Sequence, residues 1–128
     1  LSNLVKDAVG RVRPLNDAFM LGNGLNVLEK GSTSFSFFSA HAANAFGLAT
    51  CTYIALSRML AEGSSTKPKW LKAYGIWMFI WAALVAVSRV FVGKHYLGDV
   101  LFGAMIGAAG GYLFARIACR ACRFINRS

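Results

Sequence analysis

Apolar residues in this chain run in long blocks, not in the alternation of a half-buried strand. Three windows hold no Asp, Glu, Lys or Arg: 31–57, 73–88 and 100–115. The last two are 16 residues each, short of the roughly 20 that cross a bilayer. Their flanks compensate. Lys69, Trp70 and Lys72 precede the second window, and Tyr112, Arg116 and Arg120 close the third. Basic side chains snorkel, and Trp and Tyr rings favour the interface. The pattern predicts helices over 41–60, 69–92 and 98–120. The expected fold is all-α, an integral-membrane helical bundle with three spans, in one domain over 1–128.

The polar stretches read as connections. Residues 14–34, rich in Gly, Asn and Ser, predict a long loop, and "EGSSTKPK" (62–69) predicts a polar loop with a Pro breaker. Gly103, Gly107 and Gly111 recur every four residues. They line one helix face and predict a close packing seam with another backbone.

Composition agrees with a membrane chain. Hydrophobic residues make up 56% and charged residues 15%, against roughly 45–50% hydrophobic in a soluble domain. Mean hydropathy is +0.50. The formal charge of +9 would suggest nucleic acid in a soluble chain. Here the charges flank apolar runs, so they read as topology and headgroup contacts, with no nucleic-acid partner. Cys51, Cys119 and Cys122 make no disulfide framework, and a lone CxxC has too few ligands for zinc. No metal or cofactor is expected. The opening stretch "LSNLVKDAVGRVRP" has no apolar core of signal-peptide length.

Three alternating helices put residues 1–40 and 89–98 on one side and 58–72 and 116–128 on the other. The second side carries eight Lys and Arg, the first side six. The positive-inside rule then places 58–72 and the C-terminus in the cytoplasm, and the first side faces a periplasm or its equivalent.

That outer side gathers the unusual residues. His41 opens the first helix, Arg89 ends the second, His95 lies in the turn and Asp99 opens the third. Lys6 and Arg13 come before the first helix. Lys6, Arg13 and Arg89 could surround an anion, since the guanidinium fork matches phosphate oxygens. A helix start adds free N–H groups, with Ser39 as cap or donor. Asp99, four residues after His95, could fix the imidazole tautomer and leave the other nitrogen to attack. His41 remains to protonate a leaving oxygen. Plainer roles stay open: juxtamembrane charges for Lys6 and Arg13, snorkelling for Arg89, an interfacial histidine at 41, a helix cap at Asp99. The residues alone reach an outward-facing anion site.

These residues resemble the type-2 phosphatidic acid phosphatase superfamily, which shares its site with vanadium haloperoxidases and bacterial acid phosphatases. Its first motif, Lys, six residues, Arg-Pro, is matched by "KDAVGRVRP" (6–14). Its third, Ser-Arg, five residues, His, three residues, Asp, is matched by "SRVFVGKHYLGD" (88–99). Its second, Pro-Ser-Gly-His, stands as "FSAH" (38–41), with Phe38 for Pro and Ala40 for Gly. The resemblance implies a metal-independent phosphatase of lipid phosphates or diphosphates: undecaprenyl diphosphate, phosphatidylglycerol phosphate, phosphatidic acid or lipid A type. It implies His95 as nucleophile, Asp99 as its orienting carboxylate and His41 as general acid. Lys6, Arg13, Arg89, Ser39 and the backbone at Ala40 would hold phosphate. It implies a six-span core with helices preceding Lys6, and a bacterial inner-membrane enzyme with a periplasmic site. "FSFF" (35–38) could rest in the lipid interface and touch an acyl or isoprenoid chain, or serve core or interface packing without substrate contact. A vanadate-dependent haloperoxidase and an impaired lipid-phosphate binding protein are the other readings of the same pocket.

Overall fold

Small residues pack against each other inside this bundle and large ones face out. The computed structural model describes residues 2–24, 35–63, 66 and 68–125. Its elements are α1 (Ser2–Val9), a 3-10 turn (Pro14–Asn16), α2 (Ala18–Gly22), α3 (Ala40–Gly63), α4 (Lys69–Phe91) and α5 (Leu97–Ile125). No strand occurs among the described residues.

The central element is α3, which packs along α5 and, less extensively, α4, while α4 and α5 barely meet. Ala42, Ala45 and Ala49 of α3 are buried with Ala82 and Ala86 of α4. Towards α5 the approach is closer still. A Cβ on Gly103 would sit 2.5 Å from the Ser39 carbonyl oxygen, and Cβ atoms on Gly107 and Gly111 would collide with the carbonyls of Ala43 and Gly47. The four-residue glycine repeat is therefore a backbone-to-backbone seam. Tyr74 Oη donates to Thr52 Oγ1 at 2.9 Å, and Thr52 Oγ1 donates to the Leu48 carbonyl at 2.8 Å. This ties α3 to α4 with a polar contact.

Outward, Trp77, Ile80, Leu84, Met105, Phe114 and Ile117 are all at least half exposed. A water-soluble bundle would bury such side chains. Here α4 and α5 carry them on their outer faces, and both helices are long and apolar enough to cross a membrane. The third expected span, α3, has the length, since 24 residues rise about 36 Å. It is not apolar enough to count with the other two. The reason is its inner position: its neighbours are helices, so Ala, Gly, Thr and Asn serve where Leu and Phe would be needed against lipid.

α5 continues beyond the expected end at 120 to Ile125. Its Ala and Arg residues favour helix, and its 29 residues exceed the hydrocarbon thickness. The expected 14–34 loop contains the 3-10 turn and α2, and its 25–34 part lies outside the described residues. So do Glu29, Lys30, Lys67 and Arg127 of the charge comparison, and residues 64 and 65 of the polar loop.

Candidate active site

Three helix ends and one extended segment converge at one end of the bundle. α4 stops at a full Schellman turn: Lys94 N–H donates to the Arg89 carbonyl at 3.2 Å and Gly93 N–H to the Val90 carbonyl at 2.9 Å. Gly93 has φ +70°, the left-handed value that such a cap requires and that glycine adopts without a Cβ penalty. His95 N–H also donates to the Arg89 carbonyl, at 3.3 Å, so Arg89 and His95 are registered through the main chain. At the start of α5, Asp99 reaches back one turn and accepts the Tyr96 N–H at 3.1 Å, half of a capping box. At the start of α3, Ser39 Oγ accepts the Ala42 N–H at 3.4 Å, and Ser39 N–H donates to the Asp99 carbonyl at 3.0 Å. The 11–13 segment joins them. Ser36 N–H donates to the Arg11 carbonyl at 2.7 Å, and Arg13 Nη1 donates to the Lys94 carbonyl at 3.2 Å.

Asp99 is fully buried. Its Oδ1 accepts Arg11 Nη1 at 2.8 Å, and its Oδ2 accepts Ser36 Oγ at 2.5 Å. His95, 3% exposed, bonds through Nδ1 to the Ser36 carbonyl at 2.7 Å. A carbonyl only accepts, so Nδ1 carries the proton and Nε2 keeps its lone pair. Burial, and then the charge of Arg13, push the His95 pKa down to about 4, against the Ser36 bond that raises it. The imidazole is neutral at pH 7.

The expected carboxylate on the His95 ring is thus replaced by a main-chain carbonyl. His95 lies before α5, which begins at Leu97, so it does not share a helical turn with Asp99. Ser36 bridges the two, with its hydroxyl on Asp99 and its carbonyl on His95.

Lys6 and Arg13 are 8% and 7% exposed. Burial, and then Arg13, depress the Lys6 pKa. Burial also depresses that of Arg13, which Asp99 partly restores. His41 is exposed and within electrostatic reach of Arg89, Lys94, Lys6 and Arg13. Arg89 is half-buried, its Nε donating to Ser88 Oγ at 3.1 Å. Ala40 is the first residue of α3, and no non-glycine residue among those described has a positive φ. Alanine therefore fits where the motif carries glycine.

The structure thus brings Lys6, Arg13, Ser39, Ala40, His41, Arg89, His95 and Asp99 to one end. Sequence reasoning missed Ser36 and Arg11. Nothing in "SFSFFSAH" distinguishes Ser36 from its neighbours, and half its role is main-chain. Arg11 had a signal, since alternation along an extended segment puts it on the same face as Arg13. Its guanidinium also lies 4.3 Å from the centre of the Tyr96 ring, whose Oη donates to Asp17 Oδ2 at 2.8 Å.

The Lipid A 4'-phosphatase of Bacteroides thetaiotaomicron is 35% identical over 118 residues, covering 91% of this chain and 47% of that protein. The Undecaprenyl-diphosphatase of Sulfolobus acidocaldarius is 33% identical over 91% of this chain and 48% of its own length. The Phosphatidylglycerophosphatase B of Bacillus subtilis is 33% identical over 84% of this chain and 46% of its own length. The chain spans about half the length of these relatives. Among solved structures, a transmembrane PAP2 type phosphatidylglycerolphosphate phosphatase from Bacillus subtilis superposes with a TM-score of 0.63 at 28% identity, over 94% of this chain and 52% of that one. This likeness and the two apolar helices make the chain an integral membrane protein. The PAP2 superfamily model matches residues 1–121, nearly the whole sequence and all three motifs, and the chain belongs to that superfamily.

Proposed function

We propose that this chain carries the active site of a metal-independent phosphatase that cleaves a lipid phosphate or diphosphate through a phosphohistidine. The observation that carries the reading is His95: buried, neutral, its Nδ1 proton held by Ser36, and next to the buried cations Lys6 and Arg13. A lone pair on Nε2 in a positive pocket is matched to an electrophile that brings its own negative charge.

His95 Nε2 attacks phosphorus in line, and the bond to the lipid oxygen breaks. His41 gives that oxygen its proton. The new N–P bond leaves His95 cationic, a charge that Asp99 offsets through Ser36. Lys6, Arg13 and Arg89, with Ser39 Oγ–H and the free N–H groups at Ala40, take the non-bridging oxygens. Water then attacks phosphorus, His41 takes its proton, the N–P bond breaks and phosphate leaves. The cations balance the charge of the transferring phosphoryl, the part a metal plays elsewhere.

The substrate classes we assign are those in the relatives' names, lipid A phosphate, undecaprenyl diphosphate and phosphatidylglycerol phosphate, with phosphatidic acid as a further candidate. α3 to α5 are three spans of a six-span core in a bacterial inner membrane, with the site periplasmic and the C-terminus cytoplasmic. Phosphate release in detergent with EDTA present tests the reading. Release that survives EDTA and vanishes in His95→Ala supports it. Full activity in that variant, or no release from any of the four lipids, contradicts it.

A further inference from the structure

Arg11 makes contacts that the phosphate chemistry does not use. The first motif fixes Lys6, Arg13 and Pro14 and leaves 7–12 open. Arg11 Nη1 donates to Asp99 Oδ1 at 2.8 Å, joining a side chain that is 45% exposed to one that is fully buried. Its guanidinium carbon sits over the Tyr96 ring, 4.3 Å from the centre. That ring is fixed at its far end by Asp17, which accepts the Tyr96 hydroxyl on one carboxylate oxygen and the Phe19 N–H on the other. The Arg11 carbonyl accepts the Ser36 N–H at 2.7 Å.

Each of these neighbours leads to His95. The Ser36 carbonyl accepts the Nδ1 proton, Tyr96 is the next residue along the chain, and Asp99 accepts from both Ser36 Oγ and the Tyr96 N–H. The cations that bear most on His95 are instead Arg13 and Lys6, and those on His41 are Arg89, Lys94, Lys6 and Arg13. Those groups face the phosphate, while one Nη of Arg11 is committed to Asp99. An ammonium would supply the same charge, but not a planar fork that bonds a carboxylate and covers a ring at once.

We propose that Arg11 is a positioning residue for His95: it holds Asp99, Ser36 and Tyr96 from outside the phosphate pocket, so that Nε2 stays in line with phosphorus. The proposal rests on the phosphatase reading for the reaction that it serves. In-line attack is steeply sensitive to such alignment.

Arg11→Ala removes the guanidinium and keeps the main-chain bond to Ser36. The side chain reaches solvent, so free guanidinium ion can return to the space it leaves. The measurement is phosphate release from phosphatidic acid in detergent, with and without guanidinium at a concentration that leaves the wild type unaffected. Arg11→Ala is expected to lower kcat about ten- to a hundredfold with KM within about twofold, and guanidinium to recover most of the loss. Arg11→Lys should fall between the two, and decides alone if Arg11→Ala does not fold. Wild-type kcat in the variants overturns the proposal. So does a raised KM at wild-type kcat, which would make Arg11 a phosphate ligand. A loss that guanidinium does not relieve and that Arg11→Lys shares in full overturns it too, as damage to the fold.

The Nδ1–H signal of His95 in the NMR spectrum reads the same role without turnover. It is expected to weaken in Arg11→Ala through faster exchange with water, and to return with guanidinium. An unchanged signal in that variant overturns the positioning role and leaves the phosphatase reading standing. A signal lost and restored in a protein that releases no phosphate from any of the four lipids would keep the positioning role and sink the phosphatase reading.

Discussion

Asp99 has both oxygens engaged, by Arg11, Ser36 and Tyr96, before any contact with the imidazole. Its hydrogen-bonded link to His95 therefore passes through Ser36, beside the direct pull of its charge on the ring. Ser36→Ala keeps the carbonyl on Nδ1 but removes a donor from a fully buried carboxylate. A cost of about 1–3 kcal/mol in stability is expected, with kcat falling more than KM rises; denaturation in detergent and steady-state kinetics check this, and wild-type kcat would contradict the relay. The His95 ring makes a pH prediction. Its folded pKa of about 4 lies below the ordinary 6.5, so between those values the unfolded chain binds more protons than the folded one. Stability is complete above pH 6.5 and falls as pH falls through that window, by about 3 kcal/mol for full protonation. An NMR titration of the ligand-free protein should place the His95 midpoint near 4, and a midpoint at 6 or above would contradict the buried, cation-flanked environment. At this scale Arg89, His95 and Asp99 stood out because they sit between two apolar runs, and Lys6 and Arg13 because of their place before the first helix and their motif spacing. The carbonyl of Ser36 could not, because every residue has one.

Gly93 shows what an element's end contributes. Its left-handed turn closes α4 and sets His95 on the Arg89 carbonyl. Gly93→Ala should cost about 1–2 kcal/mol and lower kcat by shifting His95; thermal unfolding together with activity would show it, and an unchanged protein would mean that the turn is not what positions the ring. The long helices were legible to within a few residues, because the apolar run and its basic flanks mark where a span begins and ends. Two features were not. α3 carries no strongly apolar window of its own, since its partners are other helices. The contact between His95 and Asp99, inferred from their spacing, failed because the helix starts at Leu97 and leaves His95 in the preceding turn.

Over the whole molecule, placing alanine and glycine inside and tryptophan, leucine and isoleucine outside follows from a solvent that is itself apolar. Gly107→Leu should separate α3 from α5, because the Ala43 carbonyl already occupies the space; folded yield in detergent should drop sharply, and wild-type yield would argue against the seam. The positive excess at 58–72 and 116–128 supports a cytoplasmic end opposite the site. The most direct test of the central claim, that His95 is the nucleophile, is a rapid acid-free quench of the protein with lipid carrying radioactive phosphate. The account predicts an acid-labile, alkali-stable phosphoprotein with the label on His95, absent from His95→Ala. Label on another residue, or label retained in that variant, would contradict it.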